Sequence, residues 1–404
     1  MESTRQNPGR AFTISLGLIA LITPLAVHLF FPVIPAVKVA LGLSDAHAQL
    51  TFSIALFGMA FATLIYGSLS DRYGRRPVLL SGLALFLVGS IVSLMAETAN
   101  ALILGRLIQA IGAGCSLTLV RAIARDAFRA EQLVKAIAYL TMFGTIGPMI
   151  SPVIGGILTD TLGWRSVFGF ALVAGGAITL TAYVSMYETH PVANRKAGEE
   201  SVARSYVALF GRLRFNAFVL TNGFNTGAFM VMATASASLM TELLHRPATQ
   251  FGLYFLLFPA GFFLGNFIST RIGNRVSTET MILAGSLLSL TSVTAQAAAL
   301  SYGLVVPLAF FLPGTFVTMA QGLSMPYAQV GAMAEIPRFA GTAAGVGVFM
   351  QNFFGAVFSQ LYGMLADGTP RPMIVMAVLG SSLTLLTGAI PLLQKRLGTV
   401  PPPG

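Results

Sequence analysis

The side chains in this chain that could do chemistry are few, and none of those set deep in apolar sequence is an acid. Of 404 residues, 14 are Asp or Glu, 24 are Lys or Arg, four are His and one is Cys. Every carboxylate falls in a connecting segment or at the edge of an apolar run, including Asp45, Asp71, Asp126, Asp160, Glu242, Glu279 and Glu335. The candidates inside the runs are His28, Arg106 and the amides Gln109, Asn222, Asn225, Gln321, Gln351 and Asn352. An imidazole, with an unperturbed pKa of ~6.5, can exchange a proton near neutral pH; His28 does that, or makes a neutral helix contact. A guanidinium at hydrocarbon depth is costly, so Arg106 holds a solute, a proton-linked partner or a neighbouring helix; Arg121, closer to a helix end, can snorkel to the surface. Amides one turn apart, such as Asn222 and Asn225, share a helix face and either bind a solute or fasten helix to helix. This set suits non-covalent recognition and proton exchange. Covalent and metal chemistry lack their parts, since there is no Walker loop, paired carboxylate or His/Cys cluster, and no enzyme activity, metal or cofactor is expected.

The elements that must position these groups are twelve apolar stretches, the first at Ala11–Val37 and the last at Pro372–Gln394. Hydrophobic residues make up 55% of the chain and charged residues 9%, against roughly 25% charged in soluble domains. Stretches of about 20 residues, rising ~1.5 Å per residue as helices, cross a ~30 Å hydrocarbon layer. The fold class is therefore all-α and polytopic, embedded in a lipid bilayer. The basic residues set its orientation: 18 of the 24 Lys and Arg fall on alternate connections, which the positive-inside rule places in the cytoplasm with both termini. Only Lys38, Arg165, Arg246 and Arg371 fall on the other side. The same bias accounts for the net charge of +10, so no nucleic-acid partner is expected. The first apolar run is too long for a signal-peptide core and is read as a retained helix. Cys115 has no partner for an internal disulfide.

The chain divides as residues 1–187 and 215–396, six stretches each, around a polar connection at 188–214, with a proline-ended tail at 397–404 expected to be unstructured. The connection is read as a solvated linker with a short amphipathic helix on the lipid headgroups. The halves repeat a pattern: Arg72, Gly74 and Arg76 recur after 199 residues as Arg271, Gly273 and Arg275.

The run Gly67-Ser68-Leu69-Ser70-Asp71-Arg72-Tyr73-Gly74-Arg75-Arg76-Pro77 resembles the signature loop of the major facilitator superfamily. Glycine permits the tight turn, the arginines suit an anionic membrane surface, and Asp71 can face the positive end of a helix. Leu104-Gly105-Arg106 to Gly114 is similar to the superfamily segment that sets one buried arginine before a glycine-rich helix face. Gly147-Pro148-Met149-Ile150-Ser151-Pro152-Val153-Ile154-Gly155-Gly156, followed by Gly163-Trp164-Arg165, resembles the antiporter motif as it occurs in the Bcr/CflA drug-resistance subfamily. The resemblance implies two pseudo-symmetric six-helix bundles around a cavity that opens alternately to either side. It further implies a monomer of the bacterial inner membrane that expels drugs or small amphipathic metabolites in exchange for protons. Gly144, Gly147, Gly155 and Gly156 would then line a helix contact that rearranges, with Pro148 and Pro152 bending the helix. An importer of a small organic anion and a transport-inactive receptor or scaffold are the alternatives. The chain departs from the subfamily at one position. Relatives carry an acid before the aromatic-Pro segment of the first helix, where this chain reads Leu25-Ala26-Val27-His28-Leu29-Phe30-Phe31-Pro32. The titrating site is then expected at His28.

Overall fold

A computed structural model describes residues 8–190 and 202–397 and contains helices but no strand among them. In hydrocarbon each backbone N–H and C=O must be satisfied within the protein, and a helix does this within one segment. The long helices are α1 (Arg10–Ala40), α2 (Asp45–Tyr73), α3 (Arg75–Leu94), α4 (Ala99–Ala127), α5 (Ala130–Leu162) and α6 (Arg165–Ser185), then, after the short α7 (Val202–Phe210), α8 (Leu213–Ser238), α9 (Ala248–Ile272), α10 (Thr278–Ser301), α11 (Pro307–Ala334), α12 (Ala340–Leu365) and α13 (Arg371–Arg396). Eleven of them are long and apolar enough to cross a membrane. The exception to the expected twelve is α8, which is long enough but carries Asn216, Thr221, Asn222, Asn225, Thr226, Thr234 and Ser236. Packing explains its polarity: α8 lies among α11, α12 and α13, most of its residues are buried, and it has little lipid to face.

α1 is not one regular helix. It turns at Ala20–Leu21 and tightens to a 3-10 helix over His28–Val33 before resuming at Ile34–Ala40. Pro32 sits inside this stretch and has no N–H to donate, so regular helix bonding lapses there. The linker helix α7 is also not as expected. Leu209 is fully buried with Phe215, Phe218 and Val219, so its apolar face sinks into the second half of the protein instead of lying only on lipid. The tail from residue 398, expected to be unstructured, and the linker residues 191–201 lie outside the described residues.

Helices pack mainly within their own half, α3 on α4 and α2 on α4 in the first, α11 on α9 and α10 in the second. Glycine permits the close seams. Gly82 and Gly89 of α3 face Cys115 and Gln109 of α4, and Gly105 and Gly112 of α4 face Ser93 and Phe86 of α3. Small residues seven apart on both helices thus keep two antiparallel backbones in register. The halves meet along two further seams, α2 against α12 and α5 against α9.

One end of the molecule, the basic face, gathers the loops at Tyr73–Arg75, Ala127–Ala130 and Ile272–Thr278. Phe12 packs there on Phe128 and Tyr187, and Lys395 pairs with Glu279, so both ends of the described chain reach this face. The repeated Gly74 and Gly273 both have positive φ, 103° and 53°, which explains why glycine recurs where α2 and α9 end.

A side chain at Gly112 would run into the backbone of Phe86, whereas Gly176 has open space around it. Gly112→Leu should lower stability by about 1–3 kcal/mol or more through overpacking, read as a lower melting temperature in detergent, and Gly176→Ala should melt like the parent. Equal melting of Gly112→Leu and parent would show that the α3–α4 seam is loose.

Candidate functional site

A cavity of about 750 Å³ lies between the halves. Its wall uses Ser116 to Arg121 of α4, Ile137 to Pro148 of α5, Phe255 to Thr270 of α9 and Thr318 to Gln329 of α11. These stretches are the portions of their helices that lead toward the basic face, where Arg121 and Thr141 are exposed. The cavity therefore occupies the basic half of the molecule and widens toward that face.

Toward the opposite face it is shut by contacts that bridge the halves. Lys38 at the end of α1 pairs with Asp45 of α2 at 2.6 Å and Glu242 after α8 at 2.8 Å. Asp160 of α5 accepts hydrogen bonds from the N–H groups of Ala248 at 3.1 Å and Thr249 at 2.7 Å, and from the Thr249 hydroxyl at 2.6 Å. The residue preceding α9 is Pro247, which offers no side-chain cap. The N-terminus of α9 is thus capped by an acid from the other half, which also opposes the positive helix end. Gln360 of α12 accepts from Ser53 at 2.6 Å and donates to the Ala46 carbonyl at 3.1 Å, both on α2. Glycine again permits the approach: Gly156 of α5 lies against the Ala248 backbone, Gly252 of α9 against the Pro152 backbone. Phe31, fully buried, packs between Phe52 of α2 and Phe255 of α9, with ring centres 5.0 and 5.2 Å away, and so joins the two halves.

At the basic face the charged networks stay within one half each. Arg75 is buried, with Nε donating to Asp126 at 2.9 Å and Nη1 pairing with Asp71 at 2.6 Å and bonding Ser70. Glu188 accepts the N–H groups of Arg75 and Arg76, at 2.9 and 3.3 Å, and caps α3. The expectation that the whole arginine run faces the membrane surface is corrected here: Arg75 turns inward because two carboxylates and a hydroxyl compensate its charge, and Asp71 serves Arg75 instead of a helix end. Arg76 lies over the Tyr183 ring and donates to the Tyr183 carbonyl, and Arg72 lies over Tyr73. In the second half Arg214 pairs with Glu279 and Glu335, both at 3.0 Å, and Lys395 with Glu279.

Of the expected site residues, His28, Gln321, Gln351 and Asn352 come together on the cavity wall with Pro148. His28 stands edge-on to Phe31 at 5.6 Å, and its Nδ1 has no hydrogen-bond partner. Gln321 donates to the Thr226 hydroxyl at 2.9 Å, Asn352 to the Val348 carbonyl, and Gln351 Nε2 has no partner. Arg106, Gln109, Asn222 and Asn225 are buried away from the wall. Arg106 donates from Nη1 to the Ala26 carbonyl at 2.7 Å and the Gln109 amide oxygen at 2.6 Å, and from Nε to the Thr51 carbonyl at 3.2 Å, with its guanidinium 4.2 Å from the Phe30 ring centre. Gln109 passes the chain on to Ser90. Here the arginine is a clamp that takes a carbonyl from the irregular part of α1.

The glycines of α5 do not share one contact. Gly147 packs on Pro24 and Gly155 on Leu29 and Pro32 of α1, Gly156 reaches the other half, and Gly144 borders the cavity with nothing near it. Gly67 is loosely packed, near Thr118 alone. Of the charged and amide side chains on the wall, three were missed: Arg121, given to the membrane surface, and Asn266 and Gln329. A signal for Gln329 existed, since Thr318, Gln321, Met325 and Gln329 recur at helical spacing along one face of α11. The wall holds no Asp or Glu, and no group of metal-binding side chains occurs among the described residues.

A sequence profile of the Major Facilitator Superfamily matches residues 16–359. The chain belongs to this superfamily. It is 29% identical over 378 residues to Multidrug resistance protein D of Escherichia coli K12, covering 92% of this chain and 93% of the relative. It is 25% identical over 375 residues to the Bicyclomycin resistance protein homolog of Haemophilus influenzae, covering 90% and 91%. The fold is similar to the crystal structure of the nucleoside transporter NupG, with a TM-score of 0.76 at 12% identity over 95% of this chain and 99% of the other.

Removing a helix cap costs about 1 kcal/mol, close to a fivefold change in an equilibrium. In Asp160→Ala, spin labels at Leu162→Cys and Arg371→Cys, across the face that is shut here, should therefore populate a longer distance several-fold more often than in the parent. An unchanged distance distribution would show that the cap does not hold this face closed.

Proposed function

We propose that this protein is a secondary carrier of the bacterial inner membrane that expels drugs or small amphipathic metabolites by alternating access. The observation that carries the reading is the cavity between the halves, open toward one face and closed toward the other by side chains that bridge them. A solute in such a hollow changes sides when the bridging contacts part and the halves close over the basic face, with no covalent step. We place the basic face in the cytoplasm, as the distribution of Lys and Arg argues. We divide the moving parts at the linker, residues 1–187 against 215–396, and take the unit as one chain. The reading of efflux draws on the names of the relatives, which are resistance proteins.

Proton coupling we assign to His28. The wall offers no carboxylate, and the His28 imidazole, which borders the cavity with Nδ1 unpartnered, is the side chain there able to take up and release a proton. A solute arriving on the same wall would compete with the imidazolium for space and for the neighbouring amides, which is the requirement for exchange. Import of a small organic anion is the second reading, supported by the lack of acid on the wall.

Inside-out vesicles with an imposed pH gradient, acid inside, separate the two. Export predicts accumulation of solute that collapses with the gradient; His28→Gln should retain binding but lose the dependence of uptake on the gradient. Unaltered pH dependence in His28→Gln would remove the assignment to His28, and uptake only in right-side-out vesicles would favour import.

A further inference from the structure

We propose that the cavity selects amphiphiles by charge, taking anionic and neutral ones and refusing cations, and that Arg121 is the residue that determines this. The inference rests on the carrier reading above and names its substrate class. The polar part of the wall is rich in hydrogen-bond donors: Gln321, Gln329, Gln351, Asn266 and Asn352 supply amides, and Arg121 a full positive charge. The rest is largely apolar, with Phe229, Phe255, Phe258, Phe262 and Phe263 on one side. An ammonium group entering this hollow would leave water without meeting any carboxylate, whereas a sulfonate or carboxylate would meet a guanidinium and amide N–H groups.

Arg121 is free for this role. It lies six residues from the end of α4, ~9 Å along the helix axis, is exposed to the cavity, and makes no ion pair among the described residues. Among the described side chains, the acids of this face are engaged elsewhere. Asp71 and Asp126 bind Arg75, Glu188 binds the α3 N-terminus, and Glu279 and Glu335 bind Arg214. Several other arginines of this face have only aromatic partners among the described residues: Arg72 on Tyr73, Arg271 on Phe267 and Arg338 on Phe339. The mouth therefore carries an uncompensated positive field, which a low-dielectric cleft concentrates. Arg125, one turn further along α4, lies 4.0 Å from Asp126, an acid that Arg75 already holds.

The test uses three arylalkyl probes of one length, ending in a sulfonate, a quaternary ammonium and a primary amide, so that charge is fixed at every pH. Binding is read as a rise in melting temperature of the purified protein, and transport as flux in proteoliposomes. Sulfonate and amide should stabilise the parent and cross, and the ammonium should do neither. Arg121→Gln should weaken sulfonate binding about tenfold, a loss of the size expected for one charge-assisted contact, while the amide changes less than about twofold; Arg121→Lys should restore most of the sulfonate binding. Ammonium bound or moved as well as sulfonate would overturn the proposal, as would an Arg121→Gln variant that loses all probes equally or fails to bind the amide. Sulfonate binding with no flux of any probe would support the charge preference and overturn the carrier reading instead.

Discussion

Outside the cavity, hydrocarbon and packed side chains surround the middle of these helices, and the arrangement of charge is a consequence of that constraint. A charge at bilayer depth must be compensated by the protein itself, and this chain meets the requirement by exclusion. Acids are kept to the two faces, and the deepest cation, Arg106, is held by carbonyls, an amide and an aromatic ring instead of a counter-ion. One of those carbonyls, Ala26, lies just before the stretch where α1 leaves regular geometry, and the other, Thr51, belongs to α2. The buried arginine thus ties α4 to α2 and to the part of α1 that leads into the 3-10 segment on which His28 stands.

The same constraint separates what is fixed from what can move. Within each half, backbones meet through glycine and small residues over long seams, and the charged networks at the basic face, Arg75 with its acids and Arg214 with its own, tie helices of one half together. Among the described residues, the hydrogen bonds and ion pairs seen between the halves gather at the opposite face: Lys38 with Glu242, Asp160 with the α9 N-terminus, Gln360 with α2. These sites lie where water can take over the same partners once they separate, so parting them exposes no unsatisfied group to lipid. Surface ion pairs of this kind are weak individually, roughly 0–1 kcal/mol. A closure made of several weak, hydratable contacts can open without a large barrier, which a closure made of buried pairs would not permit.

Much of the architecture was legible because length and apolarity report directly on a helix in lipid, and the Gly67 to Pro77 run marks its own place. α8 was placed on the chain as a span, yet its composition alone does not qualify it as one. Its polar residues are tolerated because other helices, not lipid, surround it. Periodicity reports the faces of one helix and is silent on which faces meet. Lys38 and Glu242 are 204 residues apart, Ser53 and Gln360 307, and no local pattern announces either pair. For the same reason Arg106 looked like a ligand group and proved to face helices, while Arg121, dismissed to the surface, stands on the wall.

Coupling depends on which charge states the hollow can hold. A carboxylate carrier is negative when unprotonated and so invites cations when it is ready to exchange. An imidazole carrier is neutral when unprotonated and positive when loaded, so its charge repels an anion in neither state, and the competition that exchange requires falls to space and to the hydrogen bonds of the neighbouring amides. On the proposed assignment of proton exchange to His28, with Arg121 at the mouth and His28 toward the closed end beside Phe31, the wall gains positive charge on loading and holds no acid to make it negative. On the assignment of coupling to His28 proposed above, a histidine where the subfamily is expected to carry an acid changes the sign of the field a solute meets, and with it the class of solute favoured.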